Sequence, residues 1–151
     1  MGIARRETRR VGLVAAVAVL CVLAVLGVLY STGFFGREAI ASSVLEPTDL
    51  APRAGGEIRL YESGPNVRVE LEVWGMPEQD HEGYYELWFV EDGERMSGGG
   101  FTVGPDGRLE ADLNAPKIAS TYPQVGVTFE KDTGDPRASD KKMLGGELRE
   151  L

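Results

Sequence analysis

His81 is the chain's single histidine, set in the polar run Glu78-Gln79-Asp80-His81-Glu82. Any imidazole chemistry, whether a proton relay or a metal bond, has to pass through it. Met76 and Met96 are soft thioether ligands of the kind that join a histidine at copper. A blue-copper centre also needs a second His and a Cys, and the only Cys is Cys21, far from this region. Asp132, Asp135 and Asp140 bring hard oxygen ligands into one loop, but their spacing is not that of an EF-hand. Glu70 and Glu72 share one face of a strand and point to water, whereas paired carboxylates in glycoside hydrolysis occupy a cleft. Ser97 has no nucleophile elbow around it, and Gly98–Gly104 does not open a helix as a phosphate loop does. Each of these reads as a solvated loop or sheet residue. The expectation is no catalytic residue, no metal ligand and no cofactor; the chain is expected not to be an enzyme. Trp74 differs, because it falls on the polar face of its strand, where an aromatic ring is available to a partner. Trp88 and His81 complete the set of candidate partner contacts.

The elements that must position these residues follow from composition and patterning. The chain has 151 residues, 42% hydrophobic and 26% charged, enough for one ordinary globular domain. The first ten residues hold four Arg and one Glu; the remainder holds 12 basic and 23 acidic residues. An acidic body excludes nucleic acid as a partner, since phosphate binding needs clustered Lys and Arg. One Cys excludes a disulfide within the chain and any multi-Cys zinc site.

Val11–Tyr30, VGLVAAVAVLCVLAVLGVLY, carries no charge. At about 1.5 Å per residue a helix of this length spans about 30 Å, the hydrocarbon thickness of a bilayer. The run is longer than the core of a cleaved signal, and the nearest small-x-small site, Ala39-Ile40-Ala41, lies well past it, so an uncleaved anchor is expected. Arg5, Arg6, Arg9 and Arg10 keep the N-terminus cytoplasmic by the positive-inside rule. The organisation expected is a cytoplasmic basic tail at 1–10, a transmembrane helix at 11–30, a linker at 31–56 and an extracytoplasmic domain at 57–151. A short helix over Ala39–Leu45 fits within the linker.

From Glu57 the pattern turns to period two, the signature of half-buried strands. Glu57–Glu62 and Val67–Trp74 form a first pair around the turn Ser63-Gly64-Pro65-Asn66. Tyr84–Val90 is a central strand, and Asp92-Gly93 turns it into Met96–Val103. The glycines at 98–100 there predict a bulge or a large close neighbour. Leu109–Leu113, Gln124–Glu130 and Met143–Leu148 follow. About seven or eight short strands with a turn every 8–12 residues predict an antiparallel β-sandwich, with a barrel as the alternative.

The runs Tyr85-Glu86-Leu87-Trp88-Phe89-Val90, Asp92-Gly93 and Met96-Ser97-Gly98-Gly99-Gly100-Phe101 resemble the core of the anti-sigma-K factor (RskA-type) C-terminal domain. So do Val125-Gly126-Val127-Thr128-Phe129-Glu130 with Gly134, Asp135 and Pro136, and the closing Leu144-Gly145-Gly146-Glu147-Leu148. The resemblance covers Glu57 to Leu148. It implies an extracytoplasmic regulatory module at the membrane that docks a protein: a membrane anti-sigma factor, a protease or an envelope protein. In that family a cytoplasmic helical domain, often with a His-Cys-Cys zinc motif, holds the sigma factor. This sequence shows neither, so sigma-factor binding by this chain alone is not expected. The alternative reading is an extracytoplasmic ligand- or metal-binding domain unrelated to sigma control.

Overall fold

Alternation of apolar and polar side chains becomes strand across the described part of residues 38–151, where each strand turns one row of side chains to a common core. The computed structural model describes residues 19–21, 23–24, 38–78, 83–131 and 137–151. Residues 1–37 and 38–151 are separate units. In the first, Val19, Leu20, Cys21, Leu23 and Ala24 are helical and exposed. The rest of the expected membrane helix, 11–30, lies outside the described residues. Among the described residues no helix is long and apolar enough to cross a membrane.

Among its described residues the second unit has nine strands: β1 Ala41–Pro47, β2 Gly55–Ser63, β3 Asn66–Trp74, β4 Gly83–Glu91, β5 Glu94–Phe101, β6 Leu109–Pro116, β7 Gln124–Lys131, β8 Lys142–Glu147 and β9 Arg149–Glu150. A 3-10 turn, Lys117–Thr121, separates β6 from β7. All pairings are antiparallel, in the order β5-β4-β7-β8-β1-β2-β3-β6, with β9 added beside β1. The two ends of this path meet: a Cβ placed on Gly99 of β5 would lie 3.4 Å from the Leu113 side chain of β6. The sheet therefore curls until it is nearly closed. The all-β antiparallel class is as expected, but the two-layer sandwich gives way to the barrel-like alternative. The physical reason is β1, which belongs to both halves: Ala41–Leu45 pair with β2, and Glu46 and Pro47 pair with β8.

β1 also corrects the expected linker and short helix. Residues 31–56 are not all connecting chain, and Ala39–Leu45 is not helical. Ala41, Ser43 and Leu45 are buried while Val44 and Glu46 are exposed, a period of two that only a strand can satisfy. The β-domain accordingly begins at Glu38 rather than Glu57. At the other end the expected closing strand Met143–Leu148 is divided. β8 pairs with β7, and after Leu148 the chain moves across to pair with β1 as β9.

The core comes from alternate residues of each strand: Ile58 and Leu60, Val67, Val69, Leu71 and Val73, Tyr85, Leu87 and Phe89, Val125 and Val127, and Leu144, all at most 2% exposed. Each such side chain contributes about 1.5–3 kcal/mol on burial. Tyr85 packs against the rings of Phe101 and Phe129 with centroids 5.8 and 5.7 Å away. Its hydroxyl donates to the Pro77 carbonyl at 2.6 Å, and burial raises its pKa. The turn after β4 uses Asp92 and Gly93 at φ 49° and 87°, the left-handed pair that suits a tight hairpin. The expected bulge is present: Leu87 pairs with Gly99 and Trp88 with Ser97, so Gly98 is the extra residue. A Cβ there would meet Phe89 and Leu87 at 2.9 to 3.1 Å.

Candidate functional site

The outward face of β2, β3 and β6 lines polar side chains up in register. Glu57 on β2, Glu72 on β3 and Glu110 on β6 stand directly opposite one another. The next row is Arg59, Glu70 and Asp112, and the one after it Tyr61, Arg68 and Asn114. Like charges directly across a sheet repel, and arginines in and beside these rows partly offset this. Arg59 donates to Glu57 at 3.1 Å; Arg68 donates to Glu70 at 2.7 Å and to Asp112 at 3.3 Å. The Arg68 guanidinium lies over the Tyr61 ring, 4.7 Å from its centroid, and the Tyr61 hydroxyl donates to Glu70 at 2.8 Å. That hydrogen bond, then partial burial, raises the Tyr61 pKa. Exposed ion pairs of this kind are each worth about 0–1 kcal/mol. The face keeps a groove of about 440 Å³ between its carboxylates, floored by Leu71 and Ala111.

Trp74 closes this face at the end of β3, one outward position beyond Glu72. It pairs with Gly55 and is half-buried. A Cβ on Gly55 would come within 2.7 Å of the indole nitrogen, so the ring lies flat across the glycine. The sequence expectation that Trp74, Glu70 and Glu72 share an outward face is what the register shows.

Trp88 is placed differently. It points away from the core, as its neighbours Glu86 and Val90 do, yet is only 7% exposed. Its indole N–H donates to the Thr128 hydroxyl at 2.8 Å, and that hydroxyl donates to Glu130. Glu130 is a buried carboxylate, 6% exposed. Both its oxygens accept from the Ser139 backbone N–H, at 2.9 and 3.0 Å. The Ser139 hydroxyl donates to the Phe129 carbonyl at 2.5 Å. Trp88 is thus committed to internal packing, and of the two tryptophans only Trp74 offers an accessible ring. Ser97 belongs to the same side of the sheet: its hydroxyl donates to Glu86 at 2.5 Å. Glu86, Trp88, Ser97, Thr128 and Glu130, all drawn from the motif runs in the sequence, converge on the outer side of β4, β5 and β7.

His81, Asp132 and Asp135 lie outside the described residues. Asp140 is exposed, and its carbonyl accepts from the Lys142 N–H at 3.0 Å. The two thioethers considered for copper are packing residues: Met76 is 4% exposed and Met96 packs against the core. Among the described residues no group of three or more His, Cys, Asp or Glu could hold a metal ion. The Trp88–Thr128–Glu130–Ser139 chain escaped the sequence reading. Its signal was Thr and Glu on the second face of a central strand, whose neighbours bury both faces.

Comparison with known proteins gives one family. The model for the anti-sigma-K factor rskA C-terminal region matches residues 12–142. No curated protein matches the chain.

Proposed function

Because the chain belongs to the anti-sigma-K factor rskA C-terminal family, we propose that it is a single-pass membrane protein whose β-domain is an extracytoplasmic, protein-binding regulatory module. The observation that carries this is the reach of the match. Residues 12–142 take in almost the whole apolar run 11–30 together with β1 to β7. A family that joins such a run to the β-domain treats the two as one working unit. The arginines at positions 5, 6, 9 and 10 set the orientation, N-terminus inside and β-domain outside.

The module acts by docking a protein, and its bearing on sigma-factor control runs through that partner. The surface that suits docking is the outward face of β2, β3 and β6. It carries five carboxylates against two arginines and ends on Trp74, a ring of the kind that anchors protein interfaces. A partner segment rich in Lys or Arg complements it. Binding rather than catalysis is favoured because these carboxylates lie on an open face and three of them, Glu57, Glu70 and Asp112, are ion-paired, not desolvated as acid–base chemistry requires.

Topology is tested first, with protease added to cells whose cytoplasmic membrane is intact. Cleavage within residues 38–151 is the expected result; a β-domain protected until that membrane is lysed sinks the reading. A photo-crosslinker at position 74 of the full chain then reports the partner.

A further inference from the structure

Trp88 is an apolar ring on the outer side of the sheet, and its burial requires a cover. Two ties identify it. Ser139 is bound to β7 through Glu130 and Phe129, and its carbonyl accepts from Arg95 of β5 at 3.4 Å. β4 lies between β5 and β7, so these ties bracket Trp88. The covering residues, 137–141, bring no buried apolar side chain: Arg137, Asp140 and Lys141 are exposed, Ala138 and Ser139 half-buried. Lys141 sets its ammonium 5.3 Å from the Phe129 centroid. The bonds that tie the cover to the sheet are polar: those of Ser139, and the Phe129 N–H donating to the Lys141 carbonyl at 2.9 Å.

Segments held by hydrogen bonds without buried apolar area open at far lower cost than the core they rest on. Glu130 sharpens this. With the cover shut, its carboxylate is out of water and depends on the Thr128 hydroxyl and the Ser139 N–H. With the cover lifted, water replaces Ser139, so opening leaves no unsatisfied buried charge. The ladders that join β4 to β5 and β7 stay paired in the process; on β7 the bond from the Phe129 N–H to the Lys141 carbonyl, 2.9 Å, opens with the cover.

We propose that residues 137–141 are a hinged cover, pinned over Trp88 by Glu130, that opens while the sheet beneath it stays folded. The outer side of β4 and β7 therefore has two states, one sealed and one presenting an indole beside a carboxylate. This stands on the β-domain alone and is independent of membrane topology and partner.

The test is hydrogen exchange on the full chain in detergent micelles, followed across a series of sub-denaturing urea concentrations. The Ser139 amide is expected to exchange at least about a hundredfold faster than the Val127 amide, with little dependence on urea, as local openings do. Exchange of Ser139 at the Val127 rate and with the same urea dependence overturns the proposal. A second measurement uses a Trp74→Phe background, in which Trp88 is the only tryptophan. Glu130→Gln keeps the side-chain size but turns an N–H toward donors. Its Trp88 fluorescence is expected to be quenched by acrylamide about two- to threefold more strongly, with an unchanged far-ultraviolet spectrum, as loss of a buried acceptor implies. Equal quenching in both proteins counts against the cover. If the variant does not fold, the exchange comparison on the unsubstituted chain decides alone.

Discussion

Trp88 and Thr128 are 40 residues apart in the chain and joined by a hydrogen bond of 2.8 Å across two neighbouring strands. The bond satisfies the one polar atom of a buried indole and orients the threonine hydroxyl so that its own proton goes to Glu130. Two of the family's motif runs are thereby linked, one on β4 and one on β7. These motif residues serve structure.

Replacing Thr128 with Val keeps the shape and removes both bonds at once. The Trp88 N–H and one Glu130 oxygen are left short of partners in a buried site. A loss of about 1–3 kcal/mol is expected from urea unfolding. A double-mutant cycle with Trp88→Phe should recover part of that loss, because the orphaned N–H is then gone.

Gly98→Val places a branched side chain where even a Cβ meets Phe89 and Leu87 at 2.9 to 3.1 Å. Both neighbours are fully buried, so neither can move aside freely. Overpacking of this kind costs about 1–3 kcal/mol or more. Gly64→Ser serves as a control with open space around its Cβ but a φ of 64°, and it isolates the backbone cost alone. Thermal melts of the two variants separate the effects: Gly98→Val should fall clearly below Gly64→Ser.

Alkaline pH should weaken the domain through Tyr85. Burial raises its pKa in the folded state above the unfolded value near 10.0. The contribution to stability is therefore complete below pH 10 and is lost as pH rises from there through the higher folded value. Tyr61, raised first by its bond to Glu70, acts in the same direction at the surface. Glu62 acts at the other end of the scale: its bond to Lys117 at 2.7 Å lowers its pKa below 4.5, so its contribution is present above that pH and fades as pH falls further. In melts from pH 8 to 11, Tyr85→Phe should begin less stable, having lost the bond to Pro77, and then decline less steeply. Parallel curves for the two proteins would contradict the assignment.

Glu110→Lys separates stability from docking. It turns the outer end of the Glu57–Glu72–Glu110 row into an attractive neighbour, which should raise stability by about 0.2–1 kcal/mol. The same change weakens a cationic partner, and added salt weakens binding to the parent more than to the variant. Melting temperature should rise while crosslinking from position 74 falls. A rise in both would place the partner elsewhere.

Trp74→Ala should lower stability by about 1–2 kcal/mol, since the ring is half-buried across Gly55, without unfolding the domain. Crosslinking from position 72 to the partner should fall several-fold. Unchanged capture would remove Trp74 from the interface.

Much of this protein was legible in its sequence, because strand patterning is local. A strand with one face buried must alternate, so Val67–Trp74 announced itself, as did the turn at Asp92-Gly93. The outward placement of Glu70, Glu72 and Trp74 followed from that alternation alone. Three things waited for the tertiary structure. β1 reads weakly because Ala41 and Ser43 are small, and only pairing with β2 and β8 makes them core. The row Glu57, Glu72 and Glu110 depends on register between strands far apart in the chain, which no local pattern encodes. Trp88 shows the limit most plainly. Periodicity puts it on the outer side, yet it is buried, with its N–H held by Thr128 of the neighbouring strand. A residue's direction is decided by its own strand, but its exposure is decided by whatever the rest of the chain lays on top.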